Sequence, residues 1–493
     1  MEGDARSTTH PIQQRIATEA EANSAFDDIT YKKGQSFLRM LESFLGEDVF
    51  RDGIRQYIAA HKYSNTTTTD LWNALSDASN KSVGEIAAGW TEQPGFPVVT
   101  VKRKADDKVR LTQERFTVNF KNAPSVIWQI PLTYSVVGET PATLLMTDKT
   151  AALENIPADR AFKLNLNGAG NYRVEYDDRS WELLLKALPK LGVEDRVNLM
   201  SDAWALVQAG RAPVALYFGL VEKLRASTDL AEREQIINVL DFVNGLLVGS
   251  SERERFQPYA RSLLRPTFAT LRWEPKPNEP PSAGRLRASL IGTLGHLNDP
   301  EVLAGCRERF QKYLAHPASL PPDLRAPVLA VVGGYADEKT WNKLHELGQK
   351  TTSIEDQQNY YEALACATDP KLVKKTLAIA LTDELPTSRA VFLVSRVARD
   401  SGHPDIAWEF AKANMKALLA KVDAAGANRY APSLFTFFSD DGRAAELKNY
   451  AKKNLPKATA PEVAKAVDEI QFRAEFSDRL VSQLPALIRS GAK

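Results

Sequence analysis

Apolar side chains recur at helical spacing through the first ninety-odd residues. Phe37, Leu38, Leu41, Phe44 and Leu45 form one stripe, and Phe50, Ile54, Tyr57 and Ile58 form a second, the i, i+3, i+4, i+7 pattern of helices with one face turned to a core. Thr67 with Asp70 and Ser82 with Glu85 carry the spacing of a capping box, in which hydroxyl and carboxylate satisfy the unpaired N–H groups of a helix start. Leu71 and Leu75 follow the first, and Val83, Ile86, Ala87 and Trp90 follow the second. Two helices are expected to begin there.

The period becomes two after Gln93-Pro-Gly-Phe-Pro97, a turn-rich break that reads as a domain boundary. Val99 and Val101 alternate with polar neighbours, as do Val109 and Leu111, and Trp128, Ile130, Leu132, Tyr134 and Val136 form the longest alternation. Tyr172, Val174 and Tyr176 close the series. Six to eight short strands in about 80 residues predict a small antiparallel β-sandwich. From Trp181 onward helical periodicity returns and persists. That length exceeds a simple bundle and carries no fixed repeat, so a large C-terminal α-helical solenoid, HEAT-like and irregular, is expected. Glu274-Pro-Lys-Pro-Asn-Glu-Pro-Pro281 reads as a surface loop within it. The fold class is mainly α and multidomain, divided at 1–94, 95–178 and 179–493.

Composition narrows the function classes. At 493 residues, 43% hydrophobic and 25% charged with a formal net charge of +1, the chain is ordinary globular protein, with nothing that points to nucleic acid. It carries no apolar run of transmembrane length and no apolar leader, so it reads as soluble and cytoplasmic as written, with a periplasmic or secreted home open if a leader precedes it. Cys306 and Cys366 stand sixty positions apart, which makes packing roles the expectation.

Motifs for local chemistry are few. A hydrolytic zinc site commonly uses two His at i and i+4 with a Glu as base. His10, His61, His296, His316, His345 and His403 contain no such pair, and His345-Glu346 has Gln349 where a second His would stand. There is no nucleophile elbow and no phosphate loop. Gly168-Ala-Gly170 precedes a strand and reads as a tight turn.

Three stretches nevertheless resemble the zinc aminopeptidases of the aminopeptidase N type. Ser7-Thr-Thr-His10-Pro11-Ile12 and Phe26-Asp-Asp-Ile-Thr-Tyr31-Lys-Lys33-Gly34, continuing to Met40-Leu41, are similar to S-S-H-P followed by F-D-x-I-x-Y-x-K-G and M-L. Asp70-Leu-Trp72 and Trp90-Thr-Glu-Gln-Pro-Gly-Phe-Pro97 continue the likeness. Gly170-Asn-Tyr-Arg-Val-Glu-Tyr-Asp177 resembles the end of that family's β-sandwich, and Asp195-Arg196, Asp202-Ala203 and Ala209-Gly210 resemble the opening of its helical domain.

The resemblance makes residues 1–94 the last helices, a remnant, of a thermolysin-like catalytic domain. It places Tyr31 beside the metal, its phenol donating to the oxyanion of the attacked peptide carbonyl. The family's H-E-x-x-H, its further zinc-binding Glu and its G-x-M-E-N amine anchor all precede the matched region, so no zinc ligand is expected in this chain and zinc belongs to the parent family. The leading expectation is that Met1 is an internal methionine and the chain a C-terminal fragment of an enzyme that removes N-terminal residues from peptides, inactive alone. Two alternatives remain: a non-catalytic helical scaffold that binds peptides or proteins, and one subunit of a split aminopeptidase that supplies Tyr31 in trans to a zinc-bearing chain. Helices cut from a catalytic domain are further expected to expose an apolar patch.

Overall fold

A computed structural model describes residues 1–104 and 107–491. The chain forms two compact units, Met1–Leu220 and Val221–Lys493.

In the first unit a short 3-10 turn, Gly3–Ala5, precedes α1 (Glu19–Ser24). A single π turn, Ile29–Lys33, runs directly into α2 (Gly34–Leu45). Gly46, at φ +90°, ends α2, and α3 (Glu47–His61), α4 (Thr68–Ser79) and α5 (Val83–Thr91) follow. The Asp70 carboxylate accepts from the Thr67 N–H at 2.7 Å, so the first capping box forms. The second does not: Ser82 makes no side-chain cap, and the Val83 N–H donates instead to Ser76 Oγ at 3.1 Å, a residue seven positions back that only the fold brings near.

Seven strands lie among the described residues: β1 (Pro97–Arg103), β2 (Val109–Arg115), β3 (Ile130–Val136), β4 (Ala142–Met146), β5 (Thr150–Leu153), β6 (Phe162–Leu164) and β7 (Arg173–Glu175). They form two small sheets, ordered β5-β2-β1-β7 and β4-β3-β6. Pairing is antiparallel, with Val99 opposite Gln113 and Leu132 opposite Leu144. The exception is β1 with β7, which pair in parallel and set Val99 opposite Val174. Gln113, fully buried, has both ends of its amide satisfied: Nε2 donates to Trp128 O at 2.8 Å and Asp148 O at 2.9 Å, and Oε1 accepts from Trp128 N–H at 2.9 Å.

Helices α2–α5 share their core with these strands. Phe37 meets Trp72 edge-on at 5.7 Å and stacks on Trp90 at 6.0 Å, and Trp90 lies 6.3 Å from Trp128 at the head of β3. Phe37, Leu41, Trp90, Val99 and Trp128 are at most 1% exposed within one continuous cluster. The strands thus cover the Phe37–Trp90 face of these helices, while Phe26, Tyr31, Ile58 and Tyr63 stay exposed elsewhere in the first ninety residues.

Two further helices complete the unit's polar framework: α6 (Asp178–Ala187), capped by Asp177 accepting from Ser180 N–H, and α7 (Val193–Gln208). Lys163 on β6 is buried, its Nζ donating to Asn165 O at 3.1 Å and Asn198 Oδ1 at 2.6 Å. Arg173 on β7 pairs with the buried Asp202 at 3.2 Å. These bonds tie α7 to the strands.

The chain then continues through α8 (Val214–Lys223), α9 (Leu230–Leu246), α10 (Glu252–Leu271), α11 (Pro281–His296), α12 (Pro300–Ala315), α13 (Pro322–Gly334) and α14 (Glu338–Lys350). After these come α15 (Ile354–Ala365), α16 (Pro370–Ile379), α17 (Thr387–Asp400), α18 (Pro404–Leu419), α19 (Ala424–Phe435), α20 (Asp441–Asn454) and α21 (Ala460–Gly491). In the second unit α11, α13, α15 and α17 pack in succession, each against the next but one in sequence, while α12 and α14 pack beside α13 and α15. Glycines permit the close approaches: a Cβ on Gly333 would lie 2.0 Å from Ala363 O, and one on Gly295 would lie 2.3 Å from Val331 Cγ2. The proline-rich stretch is the loop between α10 and α11, held by Arg287 donating to Glu279 at 2.6 Å. Cys306 and Cys366 are both buried, and burial pushes each thiol up to about 12. No helix among the described residues is long and apolar enough to cross a membrane.

Candidate active-site segment around Tyr31

Tyr31 sits at the middle of the π turn, 61% exposed, beside the equally open Phe26, whose ring centre is 6.3 Å away. Single π turns widen a helix locally, and they recur at functional sites. Lys33, two residues on, points the other way and is 4% exposed. Its ammonium donates to Gly95 O at 2.8 Å and Gln93 O at 3.1 Å and pairs with Asp4 Oδ2 at 3.1 Å. Burial pulls the Lys33 pKa below the usual lysine value, with Asp4 opposing.

Asp4 closes this arrangement. Its Oδ1 accepts from Gly95 N–H at 2.9 Å and from the Thr9 hydroxyl. Gly95 has φ +83°, a left-handed conformation that glycine adopts without strain, and a Cβ there would come within 2.8 Å of Arg115 Nε. The turn-rich break read from the sequence as a boundary thus also receives both members of a buried ion pair.

A second anchor lies at the start of the π turn. Asp27 Oδ1 accepts from Ile29 N–H at 3.0 Å and Thr30 N–H at 3.1 Å, and the Asp27 carbonyl accepts from Tyr31 N–H at 3.2 Å. Asp27 Oδ2 lies 2.8 Å from His10 Nε2, and His10 Nδ1 lies 2.8 Å from Pro11 O. The S-T-T-H-P and F-D-D-I-T-Y segments thus meet through one imidazole and one carboxylate seventeen positions apart. Gly34 has φ −57°, and the nearest atom to a Cβ there is Ile12 Cδ1 at 4.0 Å, so neither strain nor crowding demands glycine at that position within the described residues.

The residues present do not fit a zinc site. Among the described residues no three His, Cys, Asp or Glu side chains are grouped to hold a metal. His345, whose neighbour is Glu346, engages Glu384 instead, with Nε2 at 2.6 Å from its carboxylate. A cleft of about 470 Å³ in the same unit as Tyr31 is lined by Glu85, Glu92, Gln93 and Trp128 among others, and Tyr31 is not part of it. Asp4, Asp27 and Lys33 gained no individual role from the sequence, although His10 and Lys33 stand in the motifs quoted.

The fold is mainly helical with two small sheets, and this segment presents one exposed phenol. Residues 161–472, more than half of the chain, match the family model of the ERAP1-like C-terminal domain, and residues 1–90 match the Peptidase family M1 domain. The chain belongs to the M1 aminopeptidase family and corresponds to a C-terminal part of such an enzyme. It is 28% identical over 398 residues to Aminopeptidase 2 of Candida albicans, covering 79% of this chain and 43% of the relative. It is 28% identical over 498 residues to Aminopeptidase M1-D of Oryza sativa subsp. japonica (96% and 56%). It is 26% identical over 535 residues to the human thyrotropin-releasing hormone-degrading ectoenzyme (99% and 49%). The chain spans about half the length of these relatives.

Proposed function

We propose that this chain is the part of a zinc-dependent aminopeptidase that supplies the oxyanion-side phenol, a small β-sandwich and a HEAT-like helical domain, with the enzyme removing N-terminal residues from peptides. The observation that carries the reading is Tyr31, exposed on a π turn that is anchored on both sides, within residues 1–90 that match the M1 domain. An un-ionised phenol is a good donor toward developing negative charge, and one such donor is worth about 10²–10³ in kcat. The metal ligands, general base and amine anchor of the family pattern are not among these residues, so the chain by itself is inactive in this reading. Peptide is the substrate, and a metal-bearing segment, covalent or separate, is the partner.

Hydrolysis of an aminoacyl-p-nitroanilide by the 493-residue chain, with and without the H-E-x-x-H segment of a related aminopeptidase added, tests this. Activity only in the mixture, lowered about 10²–10³-fold in kcat by Tyr31→Phe, is expected. Activity of the chain alone, or an unaffected Tyr31→Phe, would sink it.

A second reading, a non-catalytic peptide-binding scaffold, draws support from the helical unit. A cavity of about 250 Å³ there is lined by Asn359, Glu362, Arg396 and Arg399 among others. Exposed Ile354 and Phe392, each 70% exposed, lie on α15 and α17, the helices that supply those four residues. Peptide binding without any dependence on Tyr31 favours that reading.

A further inference from the structure

We infer that His10 and Asp27 are a positioning pair that fixes the direction of the Tyr31 phenol, an inference that rests on the proposed role of Tyr31. Tyr31 is open to solvent, so packing of its own ring does not hold it. Its direction comes from the backbone of the π turn. Asp27 sets that backbone at three points: one carboxylate oxygen takes the Ile29 and Thr30 N–H groups, and the carbonyl takes the Tyr31 N–H. A carboxylate used this way satisfies amides at a helix start that otherwise lack partners.

Asp27 in turn needs a fixed orientation, and His10 provides it. Its two ring nitrogens lie 2.8 Å from Asp27 Oδ2 and 2.8 Å from Pro11 O, so one ring spans both oxygens. The side chains of His10 and Asp27 are each 19% exposed, sheltered enough for the bond to hold one geometry. His10 belongs to a segment fixed independently of the turn, since Gln13 N–H donates to Thr91 O at 2.7 Å and Val118 N–H donates to Ala5 O at 3.1 Å. The chain of contacts therefore runs from the body of the unit through His10 and Asp27 to the turn that presents Tyr31. The Lys33 anchor acts on the far side of the same turn, so loss of His10 loosens the turn without releasing it.

Two readouts separate this role from general structural support. In the 493-residue chain, hydrogen exchange followed by mass spectrometry is expected to quicken about 5- to 10-fold in peptides covering residues 27–33 for His10→Ala and Asp27→Ala. Asp27→Asn, which keeps an acceptor for the two amides, is expected to fall between these variants and the parent. Peptides from α4 and from β1–β3, in the same unit, stay unchanged and report folding. In the zinc-loaded enzyme assembled with the metal-bearing segment, His10→Ala is expected to lower kcat roughly 10- to 100-fold with KM within about twofold. In a Tyr31→Phe background it is expected to lower kcat no further.

Unchanged exchange at 27–33 overturns the inference. So does a His10→Ala loss of equal size in both backgrounds, which would mean that His10 acts on something other than Tyr31. If Tyr31→Phe alone leaves kcat unchanged, the catalytic reading of Tyr31 has failed, and the pair is judged on exchange alone: faster exchange keeps it as the clamp of the turn, and unchanged exchange removes it.

Discussion

Tyr31 and Lys33 stand two positions apart on one π turn and meet opposite surroundings: the phenol is 61% exposed and the ammonium 4%. The turn is a bracket with its foot buried and its working end free. Substitutions at the two ends should separate accordingly.

Lys33→Met leaves Asp4 charged and buried without its cation. Removing one partner of a buried pair typically costs about 3–5 kcal/mol, and urea unfolding followed by tryptophan fluorescence is expected to register a loss of that order in the first unit. Tyr31→Phe, at an open site, should move the same midpoint by less than about 0.5 kcal/mol.

Gly34→Ala should raise stability. Gly34 has helical dihedrals and no neighbour closer than 4.0 Å to a Cβ, and alanine is favoured over glycine in a helix by about 0.5–1 kcal/mol. A higher midpoint together with lost activity in the assembled enzyme would place the demand for this motif glycine in whatever packs on it there.

Gly333→Ala is expected to have the opposite effect in the helical unit. Its Cβ would fall 2.0 Å from the Ala363 carbonyl oxygen, so α13 and α15 must separate, and overpacking at a backbone contact costs about 3 kcal/mol. Thermal unfolding read at the tryptophans checks this.

Cys306 and Cys366, with thiols raised to about 12 by burial, should resist iodoacetamide at pH 8 in the folded chain and react once urea unfolds it. Because the folded value lies above the ordinary value of 9.0, unfolded thiols ionise first as pH climbs. Their contribution to stability is complete below about 9 and declines between there and about 12. Mass spectrometry of the alkylated protein at stepped pH tests both statements.

Much of the architecture was legible because its causes are local. Within the alternation from Trp128 to Val136, Ile130–Val136 became β3, with Ile130 and Leu132 fully buried beside the buried Trp128, and the Thr67–Asp70 spacing became a real cap. What escaped depends on residues distant in sequence. Ser82 has the right spacing, yet its side chain makes no cap, and the adjacent Val83 N–H goes to Ser76. The parallel pairing of β1 with β7 joins residues more than seventy positions apart. At the candidate site the motif located Tyr31 and, through its Y-x-K-G pattern, set Lys33 apart from Lys32, but it carried no sign of what Lys33 meets. Its partners are Asp4 and the Gln93 and Gly95 carbonyls, sixty and more positions from Lys33 in the case of the carbonyls.

The stack from Phe37 through Trp90 to Trp128 has a mechanical consequence. It fastens the helix that follows Tyr31 to the sheets, so the phenol travels with the sheets and the helices packed on them. In the proposed enzyme, the placing of the phenol is then governed by how that whole body docks. Loosening the tryptophan stack would in that case displace Tyr31 while leaving the hydrogen bonds of the turn itself intact.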